Sequence, residues 1–226
     1  MRSKENGLTK INIPSYSFKQ EKFNSVSHYL GIPLGIATIV LAIILFSINS
    51  LSPFNFVGLL VFGLSIVLLY YMSGSYHSES ATNEKSKKIK RIIDHCTIYV
   101  LIAGTYTPIC IYISSINIIG IILLAIEWAL AIFGIIINAI DFSNKVFQGI
   151  SMFLYLALGW LVLFTGSFIY LPSLSFTWIL IGGILYTIGS ILYGIGHKNL
   201  SFHSIFHVFV LLGTIAQSVG VLLLYL

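Results

Sequence analysis

The chain is divided, almost from end to end, into apolar runs about as long as a bilayer is thick. Seven can be marked, at residues 26–48, 54–76, 92–113, 116–139, 146–170, 174–194 and 201–226. A helix needs ~20 such residues to cross the hydrocarbon core. Composition agrees: 57% of the residues are hydrophobic and 8% charged, where soluble domains carry about 25% charged residues. These features predict an all-α integral membrane protein, a bundle of seven transmembrane helices.

Basic residues orient such a bundle. Arg2, Lys4, Lys10, Lys19 and Lys22 precede the first run, and Lys85, Lys87, Lys88, Lys90 and Arg91 lie in the 77–91 loop. Lys145 and Lys198 sit in the next two connections on the same side. These are all 12 of the Lys and Arg residues in the chain. The positive-inside rule then predicts a cytoplasmic amino terminus and, after seven crossings, an extracellular carboxyl terminus. That is opposite to the arrangement of G-protein-coupled receptors. Residues 1–25 read as a cytoplasmic amino-terminal segment and 26–226 as the transmembrane domain. The first run lacks a small-residue cleavage site, so no signal peptide is expected. The pI of about 9.1 follows from this topology and does not indicate nucleic-acid binding. Cys96 and Cys110 both fall inside one apolar run without metal spacing, which argues against a disulfide framework.

The polar residues inside the runs carry the functional signal. His203 and His207 are four apart, so on a helix their rings share one face about 6 Å apart along the axis. The topology brings His77, at the end of the second run, to the same depth. Asp94 at the start of the third and Ser73, one turn before His77, arrive there too. A histidine in a membrane helix should face the interior and find a partner. Three imidazoles with one position left open are the ligand set of a catalytic zinc site, and a nearby carboxylate can take a proton from water. On spacing alone, a metal centre and a set of interfacial polar groups both remain open. His28 and His197 read as solvated groups at the membrane surface. His95 points about 100° away from Asp94 around the helix and is left out of the site. Glu127 lies deep in the fourth run and reads as a protonated, hydrogen-bonded structural group. Pro108 should kink or loosen the third helix, and Gly182, Gly183 and Gly189 should allow close packing.

Three motifs carry a resemblance. Residues Ile93-Asp94-His95-Cys96-Thr97-Ile98-Tyr99 through Ala103-Gly104-Thr105-Tyr106-Thr107-Pro108 resemble the third-helix signature of the hemolysin III family. That family is the bacterial branch of the progestin and adipoQ receptor family. Ser73-x-x-x-His77 and His203-x-x-x-His207 resemble its other two motifs. Glu21-x-x-Asn24-x-x-Ser27-His28 resembles its amino-terminal element, with Ser27 where threonine is usual. The resemblance implies a zinc ion held by His77, His203 and His207, with Asp94 contacting the activated water and Ser73 beside it. Eukaryotic relatives in the family are linked to ceramidase-like amide hydrolysis, and bacterial members to membrane-fluidity control. No extended amino-terminal domain accompanies the motifs, so a large hormone-like ligand is not expected.

The leading expectation is therefore a zinc-dependent intramembrane hydrolase of lipid amide or ester bonds, linked to membrane lipid homeostasis. Its partners would be membrane lipids, among them a ceramide-like or other acyl-amide substrate, and its place a bacterial plasma membrane. The alternatives are a non-catalytic membrane-fluidity sensor or scaffold with structural zinc, and a pore-forming hemolysin. The pore is disfavoured because no repeated row of charges could line a channel.

Overall fold

A computed structural model describes residues 8–196 and 200–226; His197 and Lys198, like Arg2 and Lys4, lie outside the described residues. Among those described there is no β-strand. The helices are α1 (Phe18–Tyr29), α2 (Ile32–Ser47), α3 (Pro53–Ser78), α4 (Glu84–Ser114), α5 (Ile119–Ile140), α6 (Lys145–Gly159), α7 (Leu161–Phe164), α8 (Ser173–Gly196) and α9 (Leu200–Leu222), with a 3-10 turn at Ser167–Tyr170. Taking α1 and α2 as one span, six are long and apolar enough to cross a membrane. The protein is a multi-pass helical membrane protein.

Local chemistry explains the boundaries. Ser17 and Gln20 form a reciprocal capping box at the start of α1, satisfying amide groups that have no partner within the helix. Pro33 sits in the first turn of α2, where its missing N–H costs nothing. Ser52 caps α3 and Asn144 caps α6 through their side chains. The basic stretch expected as a loop is instead the beginning of α4. Glu84 pairs with Lys88 one turn on, an arrangement that favours a helix in its first turn. The helix then continues unbroken through Pro108, whose carbonyl accepts a hydrogen bond from the Tyr225 hydroxyl at 2.6 Å.

The fifth apolar run differs most from expectation. It does not form one long helix: α6 stops at Gly159, α7 adds one turn, and Gly166, at φ 68°, turns the backbone into the 3-10 segment. Only glycine enters that left-handed region without steric cost. Trp160, at the break, donates its indole N–H to Thr187 Oγ1 of α8 at 3.0 Å.

The outer surface is apolar, with Ile36, Val40, Ile43, Ile121, Ile132 and Phe153 among the exposed side chains. Phe62, Tyr70 and Tyr99 are fully enclosed. α2 and α3 approach closely where Gly35 faces Gly63; a Cβ on Gly35 would lie 2.7 Å from the Gly63 carbonyl oxygen, the small-residue packing typical of membrane helices. Gly182 of α8 serves likewise, lying against Gln217 of α9, whereas Gly183 and Gly189 make ordinary or slightly tight contacts. At one end of the bundle, the segment before α1, the beginning of α4 and the α5–α6 turn meet around Arg91, Asn12 and Phe142. At the other, Asn117 Nδ2 donates to the Tyr170 hydroxyl at 3.0 Å, and Tyr225 lies against Tyr112.

Candidate metal centre

Helix α1 packs against both α3 and α9, and the polar residues of that junction form the site. With Ser17 fixing its start, α1 carries Glu21, Asn24 and His28 at offsets of three and seven, one face of a helix. Near the end of α3, His77 is 2% exposed, and its Nδ1 lies 2.7 Å from Glu21 Oε2. The other oxygen, Glu21 Oε1, accepts from Lys87 Nζ at 2.6 Å. That ammonium also donates to the Glu79 carbonyl at 3.0 Å and is itself buried. His77 is thus held through one ring nitrogen by a carboxylate that a lysine holds in turn. Its second nitrogen, Nε2, is buried without a hydrogen-bond partner.

From α9, His203 and His207 bring their Nε2 atoms to 2.8 Å of one another. One candidate ligand atom from each of His77, His203 and His207 lies within 4.8 Å of the others. His207 is 2% exposed, and the backbone of Asn24 faces its ring. Tyr16, just before α1, covers the cluster: its ring stacks on His203 at 5.1 Å and meets His77 edge-on at 5.7 Å. Burial holds the Tyr16 phenol well above its ordinary pKa, so it is a neutral hydrogen-bond donor at physiological pH.

Two cavities flank the cluster. An apolar one of about 150 Å³ runs from His203 and His207 into the bundle between Leu69, Ile98, Met152 and Val210, with Ser73 and Asp94 at its polar end. The Ser73 hydroxyl and the Asp94 carboxylate both line that end. The second, of about 220 Å³, lies on the loop side under Tyr16 and Arg91. Asp94, His95, Tyr193 and His203 line both.

All five residues singled out from sequence are therefore neighbours: His77, His203 and His207 converge, and Asp94 and Ser73 line the cavity beside them. His95 stays out of the converging set, its ring bonded to the Arg91 carbonyl and the Tyr193 hydroxyl at 2.9 and 3.1 Å. It does line both cavities. His28 is not the solvated surface group expected. It is 4% exposed, its centroid is 4.0 Å from that of His207, and neither ring nitrogen has a hydrogen-bond partner among the described residues. The reason is that α1 lies within the bundle, so a position that reads as a membrane boundary along the chain is interior in the fold. Glu127 is fully buried, but neither of its oxygens finds a hydrogen-bond partner among the described residues, against the hydrogen-bonded role expected.

Three contributors escaped sequence reasoning in their roles. Glu21 was visible as part of a motif, and its spacing to Asn24 and His28 marks one helical face, but nothing in that spacing points to His77. Lys87 lies in a run of similar lysines, and Tyr16 in a polar segment; neither carries a local signal.

Comparison with known proteins matches residues 16–218 to the family described as haemolysin-III related. The protein is 40% identical over 204 residues to the hemolysin-3 homolog of Bacillus subtilis (strain 168), covering 89% of this chain and 92% of that one. It is 37% identical over 198 residues to hemolysin-3 of Bacillus cereus, covering 87% of each.

Proposed function

The chain belongs to the haemolysin III family, and from that premise we propose that it is a zinc-dependent hydrolase of lipid amide or ester bonds in the bacterial plasma membrane. The observation that carries this reading is the orientation of the histidines. Glu21 occupies His77 Nδ1 and leaves Nε2 buried without a hydrogen-bond partner among the described residues, beside the rings of His203 and His207. An outer carboxylate fixing one ring nitrogen so that the other can bind metal is the usual support of a histidine ligand. Three nitrogen donors suit zinc, and a set of three leaves a coordination position open. His77, His203 and His207 would hold the ion. When bound, zinc would supply Lewis acidity toward water and a carbonyl oxygen.

The remaining work falls to side chains of the protein. The apolar cavity would take the acyl chain and keep bulk water from it, bringing the scissile carbonyl to the polar end at Ser73 and Asp94. There Asp94 would accept a proton from the attacking water and return it to the departing amine or alcohol as the carbon–nitrogen or carbon–oxygen bond breaks. Ser73 would hold the carboxylate in position for both transfers.

The same reading completes the topology. The 146–170 region leads from the Asp141 turn to Tyr170, which bonds Asn117 at the far end. We take α6, α7 and the 3-10 turn together as the seventh crossing, with the amino terminus cytoplasmic and the carboxyl terminus outside.

The test is zinc content and turnover of detergent-purified protein, wild type beside His203→Ala/His207→Ala. About one zinc per chain, lost in the double variant, together with release of fatty acid from long-chain acyl amides or esters, is expected. Zinc without turnover of either class would leave a structural zinc site and a non-catalytic scaffold. A folded wild type without zinc would end the metal reading.

A further inference from the structure

Five cations lie between residues 85 and 91, and the structure separates them. Lys87, Lys88 and Lys90 pair with Glu21, Glu84 and Glu79 at 2.6, 2.5 and 2.5 Å, while Lys85 is exposed. Arg91 is different. It is partly buried, and among the described residues no carboxylate lies within 4 Å of its guanidinium. It donates to the Asn12 carbonyl and lies 5.5 Å over the Phe142 ring. It also lines the loop-side cavity, together with Tyr16 and Tyr76.

That cavity shares Asp94, His95, Tyr193 and His203 with the apolar one, so the two chambers adjoin along a wall that includes one histidine of the cluster. Asp94 is the one carboxylate in the shared wall. It lies 3.6 Å from His95 Nδ1 and acts on Arg91 only through space. A guanidinium offers a planar fork of donors matched to phosphate or carboxylate oxygens. Held in a cavity whose one carboxylate, Asp94, forms no ion pair with it within 4 Å, it is the feature a neutral headgroup would leave unused.

We propose that the two chambers hold one lipid, its acyl chain in the apolar cavity and an anionic headgroup, phosphate or carboxylate, against Arg91 with Tyr16 and Tyr76 as neutral donors. The substrate class is then an acyl lipid with an acidic head, not a neutral ceramide. This rests on reading the cluster as the point of hydrolysis, but it is tested by binding.

The probes are ether-linked single-chain lipids, which cannot be hydrolysed, of equal chain length. One carries a glycerol phosphate head and the other glycerol alone; inorganic phosphate is the third ligand. Binding to the detergent-purified full chain is read from ligand-dependent thermal stabilisation. Wild type is expected to bind the phosphate lipid at least about tenfold more tightly than the neutral one, the scale of one charge-assisted contact. Arg91→Gln should abolish the preference. Equal binding of the two lipids, or a preference that survives in Arg91→Gln, overturns the proposal. So does stabilisation by inorganic phosphate equal to that by the phosphate lipid, which would mean a free-anion site. If Arg91→Gln does not fold, Tyr16→Phe keeps the ring on His203 and removes only the hydroxyl; it should lower the preference severalfold, and an unchanged preference overturns the proposal. Preference without turnover of the matching ester would sink the hydrolase reading alone, and turnover without preference would sink this one alone.

Discussion

His77 and Glu127 are equally enclosed, 2% and 0% exposed, in an interior that is otherwise largely apolar, yet their surroundings differ. His77 is fastened on one side by Glu21, itself fastened by Lys87, while its other nitrogen has no hydrogen-bond partner among the described residues and two more imidazoles lie beside the ring. Glu127 has nothing fastened to it: both oxygens lack hydrogen-bond partners among the described residues. Burying a polar group in an apolar medium is costly wherever it happens, so burial alone does not identify a site. Orientation does. A side chain held through one atom while another is left without a partner is suited to bind a ligand, and His77 shows that arrangement where Glu127 does not.

The largest expected effect removes the oriented group. In His77→Ala, zinc measured by elemental analysis should fall from about one per chain to near zero. Chelation should lower the melting temperature of wild type and leave the variant unmoved, because a ligand present at 1,000 times its dissociation constant contributes about 4 kcal/mol to the folded state. Full zinc content in His77→Ala would erase the contrast with Glu127.

Next comes the fastening itself. Glu21→Gln keeps the shape but weakens the hold on His77 Nδ1 and on Lys87. Outer partners of metal-binding histidines are typically worth 10–100-fold in affinity, so zinc should still reach one per chain at saturation, with a dissociation constant raised by about that factor in competition with a chromophoric chelator. An unchanged constant would mean that Glu21 merely neutralises Lys87.

How much of this could be read along the chain follows from the range of the interactions. The apolar runs and the His203-x-x-x-His207 spacing are local, and the depth that groups Ser73, His77 and Asp94 with them follows from counting crossings. The Glu21–His77 and Glu21–Lys87 contacts join positions 56 and 66 residues apart, and depend on α1 lying between α3 and α9. The break in the 146–170 run also has a tertiary component, since its hydropathy is continuous while Trp160 finds its partner on α8. Sequence patterns reach elements and depth; which buried group is held, and by what, emerges when helices distant in the chain pack.

His28 falls between the two extremes, buried against His207 but with neither nitrogen bonded. His28→Phe replaces two unsatisfied polar atoms with apolar surface beside an existing cavity. Zinc content should be unchanged and stability should move by no more than about 1 kcal/mol, as read by chemical denaturation. Loss of zinc in this variant would add His28 to the groups that support the cluster.

The smallest effect expected is none. Glu127→Gln keeps the size and polarity of a side chain that nothing in the structure holds, far along the chain from every residue of the cluster. Zinc content, melting temperature and turnover should all match wild type. The result is informative because a carboxylate deep in a membrane helix is a functional candidate by default; only the missing partners argue against it. If Glu127→Gln folds and keeps its zinc but loses turnover, an unheld buried acid is part of the chemistry, and orientation no longer separates site from scaffold in this bundle.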